Sequence, residues 1–281
     1  MKKKTNFMLM TFLLFFAGVF LGSVQKVQAA NPTKVTLKPN KVYSSYDITG
    51  DGRADTICIK TIKDSSGNWI NKTSVIINGK NSASYSGGAY EVTAKLYTLQ
   101  NKKTFLYLYA CADNYDGPVC GIFQYRSGRL KQIINCQTVF KGYGAHLYGD
   151  VVRVRNNTMT VKFYVMSWTV GPSYYTLNYV YKDGTLKRAS SKAASIEMSG
   201  LKYRGYTYVT ASYDMKVYTG TDTQKKAFTL KKGQKVKFTG AYLKSGKHLL
   251  QIQTQSGKKG WIKCSSSYLG GAPFVEVMYA G

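Results

Sequence analysis

The sequence is poor in acidic residues, histidine and proline. Its 281 residues include 13 aspartates and glutamates, two histidines and five prolines, against 40 lysines and arginines. Neither His146 nor His248 lies in a motif that pairs it with a nucleophile, which needs an oriented base within hydrogen-bond reach. Outside one loop, no two acids are paired in the way that glycoside hydrolysis requires. The sequence therefore predicts no catalytic residues.

The five cysteines include no CxxC pair, so a zinc site or a thioredoxin-type redox motif has no support. Cys111 and Cys120 flank a loop between two strand-like runs, where they could face each other across a hairpin and form a disulfide. The alternative is that they are buried free thiols. The odd number of cysteines leaves at least one thiol free or intermolecular.

Beyond the N-terminal segment, the sequence lacks any long stretch with helical periodicity. It is rich in aromatic residues, with 24 tyrosines and 12 phenylalanines. Short alternating runs of aromatic and β-branched residues recur at 104–109, 159–165 and 175–181, separated by turn residues. Such runs are typical of strands, so the sequence predicts an all-β protein.

The N-terminus has the pattern of a secretory signal peptide. Lys2, Lys3 and Lys4 precede an apolar stretch over 7–24, and the Val-Gln-Ala-Ala pattern at 27–30 offers a cleavage point after its small residues. We expect residues 1–29 to be removed, with an uncleaved anchor as the alternative. Cleavage would leave 40 − 4 = 36 basic and 13 acidic residues, a net charge of about +23. We expect a secreted protein with no further membrane span.

Two segments of the chain repeat each other. Residues 105–131 align without a gap onto 161–187, at an offset of 161 − 105 = 56 residues. Each copy ends in a hairpin-turn pair, Ser-Gly at 127–128 and Asp-Gly at 183–184. A looser first copy covers 47–80. The repeat predicts two to three four-stranded units arranged as propeller blades or as a related antiparallel meander.

A stretch rich in aspartate opens the first copy. In 47–55 the residues with side-chain oxygens stand at loop positions 1, 3, 5 and 9, with glycine at position 6. This spacing suits Ca²⁺, which prefers six to eight oxygen ligands at about 2.3–2.6 Å. The alternative is a turn without a metal. The predicted ligands are the side chains of Asp47, Thr49, Asp51 and Asp55 and the backbone carbonyl of Arg53.

The loop and the aromatic hairpins that follow it resemble the FG-GAP/VCBS type of calcium-loop β-propeller repeat, over about residues 43–190. The resemblance implies a propeller-like domain, which we place at 35–190. It departs from that family in one respect. The corresponding turns of the later copies, 100–103 and 156–159, lack acidic residues, so one calcium loop is expected and not several.

The C-terminal part has a different pattern. Residues 191–205 are small and polar, as in a linker, and 206–281 form the second predicted domain. Over about 206–266 the pattern FxLxKGxKV followed by GxxGWI resembles the bacterial SH3 domain, which is a small barrel. The resemblance implies binding to cell-wall peptides or glycans through exposed aromatics, here Tyr213, Tyr218 and Tyr242. Trp261 is expected to pack in the barrel.

The charge of the C-terminal part indicates its partners. Residues 200–281 contain 14 basic and three acidic residues, so this part carries 14 − 3 = +11. A surface of this charge attracts polyanions, and outside a cell these include teichoic acid. The alternative is that dispersed lysines keep a strand-rich protein soluble and protect its sheet edges.

Together these features predict a secreted, non-catalytic surface or cell-wall binding protein. Its partner would be peptidoglycan or teichoic acid, held by the basic SH3-like domain, and Ca²⁺ would be its one cofactor. The alternative is a wall-targeted hydrolase with an unrecognised active site in the N-terminal β domain. Aromatic residues between basic ones also occur in nucleic-acid binding proteins, but secretion argues against that partner.

Overall fold

We describe the protein from a computed structural model, over residues 32–244, 246–267 and 271–278. The predicted signal peptide, residues 1–29, lies outside the described residues. The described chain forms twenty β-strands in four antiparallel sheets, with one short α-helix and one 3₁₀ turn. The all-β prediction is therefore confirmed. No helix within these three ranges is long and apolar enough to span a membrane.

Apart from β1, which joins the second sheet, the first three sheets are built from strands that follow one another along the chain. The chain enters through β1 (Thr33–Leu37). The first sheet contains β2 (Val42–Tyr46), β3 (Asp55–Lys63), β4 (Ile70–Ile77) and β5 (Lys80–Ser86). The second sheet contains β1 with β6 (Glu91–Thr98), β7 (Thr104–Cys111), β8 (Val119–Arg126) and β9 (Arg129–Asn135). The third contains β10 (Gly144–Arg155), β11 (Thr158–Ser167), β12 (Gly171–Lys182), β13 (Thr185–Arg188) and β14 (Ser195–Glu197), the last two both paired with β12.

The sequence repeat corresponds to equivalent strands. In the second sheet β7, β8 and β9 are successive neighbours, as β11, β12 and β13 are in the third. The turns 127–128, 183–184 and 78–79 each place two successive residues at positive φ, for example 50° at Ser127 and 81° at Gly128. This geometry matches the twist of the flanking strands in a two-residue hairpin. The predicted hairpins are therefore present in all three sheets.

The three sheets stack through the two faces of the second one. On β7, Leu106 and Leu108 belong to the core shared with the first sheet, whereas Phe105 and Tyr107 belong to the core shared with the third. The hydroxyl of Tyr107 donates a hydrogen bond to the Gly149 carbonyl of β10 at 2.7 Å. Among the described strands no pairing joins the first sheet to the third, so the stack is open.

The predicted disulfide between Cys111 and Cys120 is absent, and all five cysteines are free. The register explains why. Cys120 on β8 lies opposite Tyr109, whereas Cys111 is two residues further along β7 and is paired with Glu91 of β6. The two thiols are therefore offset along the hairpin. Cys120 instead contacts the buried thiol of Cys136.

The fourth sheet follows a different strand order. Its strands are β15 (Val209–Thr210), β16 (Met215–Tyr218), β17 (Lys226–Leu230), β18 (Lys235–Lys244), β19 (Lys247–Thr254) and β20 (Lys259–Lys263). The order across the sheet is β15-β18-β19-β20-β16-β17. The prediction of a barrel is wrong, because the described pairings leave β15 and β17 as the two edges of an open sheet. Local pattern predicts strands, but closure depends on pairing between distant edges, which it does not encode.

The segment 191–205, predicted as a linker, is structured. It contains β14 and the helix α1 (Ser199–Tyr203), in which Leu201 is 3% exposed. The backbone N–H of Ala193 also donates to the Ala241 carbonyl of β18 at 2.9 Å. The small side chains of this segment let its backbone approach both the third and the fourth sheet. Such packing leaves no periodic pattern in the sequence, so the segment was predicted as a linker. The fourth sheet and the third therefore share one hydrophobic core.

A buried histidine lies at this junction. His248 of β19 is 2% exposed, and its ring centroid lies within 5.4 Å of those of Phe140, Tyr143 and Tyr175. Neither ring nitrogen has a hydrogen-bond partner. Burial disfavours the charged imidazolium and lowers the pKa of His248 from 6.5 to about 3. The histidine is therefore a neutral packing residue and not a proton-transfer group.

This burial predicts a loss of stability in mild acid. The unfolded chain takes up a proton on His248 near pH 6.5 and the folded chain near pH 3, so the unfolded state binds more protons between these values. From pH 6.5 to about pH 5 the free energy of unfolding should fall by about 1.5 kcal/mol from this residue. Urea unfolding at the two pH values measures it. His248→Phe, which keeps an aromatic ring, should lose this part of the pH dependence, and an unchanged dependence would contradict the assignment.

Candidate functional site

The predicted calcium loop connects β2 to β3. One carboxylate oxygen of Asp47 accepts the N–H of Gly50 at 2.5 Å and the other accepts the N–H of Gly52 at 2.8 Å. Both glycines have positive φ, 83° and 88°, which side chains disfavour. Asp51 is exposed and accepts the N–H of Arg53 at 2.8 Å. The loop is thus closed by hydrogen bonds from its own backbone.

Asp55 anchors the end of this loop. It is 2% exposed, and one carboxylate oxygen accepts the N–H groups of Ile48 and Thr49 at 2.8 and 2.9 Å. The other accepts the Asn78 side-chain amide at 2.6 Å. Burial alone would raise the pKa of Asp55, but these hydrogen bonds to the ionised form lower it overall. Asp55 therefore holds the β2–β3 connection against the β4–β5 hairpin.

The donor set of the loop has the oxygens that Ca²⁺ prefers, and each carboxylate oxygen bonded to one N–H retains a second lone pair. The acidic side chains do not converge on one point, however. Within the described ranges no group of three or more His, Cys, Asp or Glu side chains is arranged to hold a metal. Calcium binding at 47–55 stays a prediction.

Two of the predicted ligand-binding tyrosines lie together in the C-terminal part. Tyr213 and Tyr218 line a cavity of about 310 Å³ between the fourth sheet and the β11–β12 turn. Lys216 and Lys263 line the same cavity, and the Lys263 ammonium lies 5.5 Å from the centroid of the Tyr218 ring. We call this the basic cavity. The sequence reasoning missed the two lysines, which lie two residues from Tyr218 and from Trp261 and come together only through the pairing of β16 with β20.

The charges of the basic cavity are not compensated within it. Its one acid, Asp214, accepts the Lys231 ammonium at 2.8 Å and the backbone N–H of Lys232 at 2.9 Å. The hydrogen bond from Lys231 is the main cause that lowers the pKa of Asp214, so this carboxylate is ionised and already paired. In the described part of the chain neither Lys216 nor Lys263 forms an ion pair. Both ammonium groups are therefore free to bind an anion.

A second, larger cavity lies elsewhere on the same sheet. It has a volume of about 540 Å³ and is formed by the β17–β18 and β19–β20 turns. Lys235 and Lys258 line it together with Phe228. The fourth sheet thus carries two depressions that each combine two lysines with an aromatic ring, an arrangement suited to a polymer that carries several negative charges.

Tyr242 does not join either cavity. It lies on β18, which β19 and β20 separate from β16 and its Tyr218. Its ring packs edge-on against Trp261, with the centroids 6.4 Å apart. Trp261 is 7% exposed, as expected for a residue of the sheet interior. The strand order, which the sequence does not reveal, therefore removes Tyr242 from the predicted ligand-binding group.

The groups with catalytic chemistry are dispersed. His146 of β10 has a positive φ of 53°, and its Nδ1 lies 3.5 Å from a carboxylate oxygen of Asp116. Cys111 accepts a hydrogen bond from the Tyr109 hydroxyl, and Cys136 is buried. Among the described residues no hydrogen bond links His146 to a cysteine. A left-handed backbone at a residue other than glycine is strained, and such strain is concentrated at functional sites. Of His146, Cys111 and Cys136, His146 is the residue with this strain.

The similarity of this chain to known proteins is weak. No protein-family model matches the chain, and no curated protein matches it. Among solved structures, the chain resembles the antimicrobial peptidase lysostaphin from Staphylococcus simulans, with 12% sequence identity and a TM-score of 0.21. The alignment covers 81% of this chain and 87% of that chain.

This match contradicts the prediction that the chain is not an enzyme, and that prediction is withdrawn. The prediction rested on the lack of a local motif, and catalytic groups can be assembled from residues far apart in the sequence, which a search for local motifs does not detect. A TM-score of 0.21 lies too low to transfer either a fold or an activity. The function is therefore argued from the chain's own residues.

Proposed function

We propose that this chain is an exported protein that binds an anionic polymer of the bacterial cell wall, teichoic acid or peptidoglycan. The observation that carries the proposal is the basic cavity, in which Lys216 and Lys263 lie beside Tyr213 and Tyr218 with no ion-pair partner among the described residues. The signal-like pattern of residues 1–29 supports export. Export would place these ammonium groups among the polyanions of the envelope.

Electrostatics and shape both support a polymer as the ligand. The part of the chain from 200 to 281 carries +11, and two lysine-lined depressions lie on one sheet. An extended polyanion can contact both, whereas a small anion would occupy one. The tyrosine rings add apolar contact surface beside the charges. We further propose that the fourth sheet is an SH3-type module that is not closed into a barrel, supported by the β19–β20 hairpin, in which Gly257 has a φ of 86° and leads to Trp261.

The proposal predicts binding that weakens with salt. Cosedimentation with purified cell walls should be strong at about 0.05 M and weak at about 0.5 M salt, because ions screen surface charges beyond a few ångströms at the higher value. Walls stripped of teichoic acid distinguish the two polymers. The Lys216→Ala/Lys263→Ala double variant should bind about fivefold to tenfold more weakly, as expected for two exposed charge contacts.

A matched control removes the same charge elsewhere. Lys63 and Lys131 are exposed on the first and second sheets, and the Lys63→Ala/Lys131→Ala variant should bind walls like the original protein. Equal losses in the two double variants would show that total charge, and not the basic cavity, determines binding. Retention on walls that is the same at both salt concentrations would contradict the proposal.

We also propose that the loop 47–55 binds Ca²⁺, on the chemistry of its donor set. Calorimetry at about millimolar Ca²⁺ should detect heat of binding. Asp51→Asn is the informative variant, because Asp51 accepts one backbone N–H, whereas Asp47 and Asp55 each accept two and hold the loop. The heat should vanish in this variant. The control is Asp64→Asn, in another exposed loop; heat that survives Asp51→Asn, or no heat at all, would rule the site out.

A second candidate function is a wall-directed hydrolase. The observation that favours it is His146, held at a φ of 53° with its Nδ1 3.5 Å from a carboxylate oxygen of Asp116, so that an imidazole, the commonest general acid–base group, lies beside a carboxylate. This candidate predicts a clearing band on a peptidoglycan gel that is lost in His146→Ala. The band should persist in Tyr203→Ala, a change at an exposed side chain. Clearing that is equal in both variants would contradict this role for His146.

A further inference from the structure

Four tyrosines lie together on the third sheet. Tyr148 of β10, Tyr164 of β11 and Tyr174 of β12 are successive cross-strand partners, with ring centroids 5.1 and 5.3 Å apart. Tyr115, at the end of the 3₁₀ turn between β7 and β8, lies 4.6 Å from Tyr148 and 5.6 Å from Tyr164. We call these four residues the tyrosine platform.

The outermost ring of the platform is held in a strained position. Tyr115 has a φ of 64°, a left-handed conformation that bulky residues rarely adopt, and 46% of its surface is exposed. The loop that carries it is fixed against β7. At Gly117 a Cβ would lie 1.6 Å from the Ala110 carbonyl oxygen, so the chain passes there at a distance that only glycine allows. The backbone thus presents a large aromatic ring to solvent at a defined place.

The platform tyrosines come from segments of the chain that lack lysine and arginine. The segments 104–125, 142–152 and 163–181 contain no lysine or arginine, although the whole chain has 40. All four platform tyrosines come from these segments. Of the described lysines, Lys162 reaches the platform, with its ammonium 4.1 Å from the Tyr174 ring centroid. That ammonium is paired with Glu197 at 3.0 Å, so its charge is compensated.

Acidic groups flank the exposed ring. Asp113 and Asp116 lie on either side of Tyr115 in the sequence, and Asp113 accepts a hydrogen bond from the Tyr90 hydroxyl at 2.8 Å. Glu197 also forms an ion pair with Lys202 at 3.3 Å, so the local charges nearly cancel. A polyanion has no attraction to such a surface. The small net charge around the platform therefore suits an uncharged partner, whereas the positive charge around the basic cavity suits an anion.

We propose that the tyrosine platform binds an uncharged glycan strand. The faces of aromatic rings carry partial negative charge, which attracts the weakly positive C–H groups on one side of a sugar ring. The tyrosine hydroxyls and flanking carboxylates can bond the sugar hydroxyls. Across three adjacent β-strands, the platform spans about 10 Å from Tyr148 to Tyr174. This is the length of a disaccharide, so the size of the platform suits a chain of sugars better than a small cation.

The test uses chitotetraose, an uncharged tetramer of N-acetylglucosamine, and calorimetry on the purified protein. Binding is expected, with an affinity that changes by less than about twofold between about 0.05 M and 0.5 M salt. Tyr115→Ala should weaken it by about tenfold, and Tyr115→Phe, which keeps the ring, by less than about twofold. Tyr203→Ala is the control, because Tyr203 is 93% exposed on α1 and outside the platform.

Circular dichroism verifies that each variant is folded. Tyr115→Gly, which suits the φ of 64°, replaces Tyr115→Ala if the latter does not fold. No binding of chitotetraose by the original protein, or undiminished binding after loss of the Tyr115 ring, would overturn the proposal. So would preferential binding of choline at the platform, because an aromatic site for cations would then be the better description.

Discussion

Both faces of β7 are buried, and the arrangement of the sheets around it depends on this double burial. Leu106 and Leu108 pack toward the first sheet, while Phe105 and Tyr107 pack toward the third. A shift of the strand by one residue would exchange the two faces. It would also remove the Tyr107 hydroxyl from the buried Gly149 carbonyl, which would lose that hydrogen bond. The register of the second sheet therefore determines where the third sheet lies, and the third sheet carries the tyrosine platform and the contact with the fourth.

Charge is distributed unevenly over this framework. Among the described residues, Lys216 and Lys263 at the basic cavity of the fourth sheet have no ion-pair partner, whereas Lys162, which reaches the platform, is paired with Glu197. The same alternation that buries the odd residues of β11 in the core presents Tyr164 and Lys162 on its other face. The two proposed binding surfaces therefore differ in charge: the basic cavity suits an anionic ligand and the tyrosine platform suits an uncharged one.

Local properties of the chain were predictable and non-local ones were not. Alternation and turn residues predicted the strands, and the pairs at 127–128 and 183–184 predicted hairpins, because both depend on neighbouring residues. Strand order in the fourth sheet depends on contacts between distant segments, so the barrel was wrong and Tyr242 lies away from Tyr218. The Cys111–Cys120 disulfide was wrong for a related reason, since an offset of two residues in register separates the thiols. Lys216 and Lys263 were missed because they meet only when β16 pairs with β20.

The central claim is that two separate surfaces bind ligands of different charge, and ligand-induced chemical-shift changes in the same protein sample test it most directly. Soluble teichoic acid should shift the backbone signals of Lys216, Tyr218 and Lys263 and leave those of the platform unchanged. Chitotetraose should shift the signals of Tyr115 and Tyr164 and leave those of the basic cavity unchanged. Overlapping shifts from both ligands, or shifts from neither, would contradict the account.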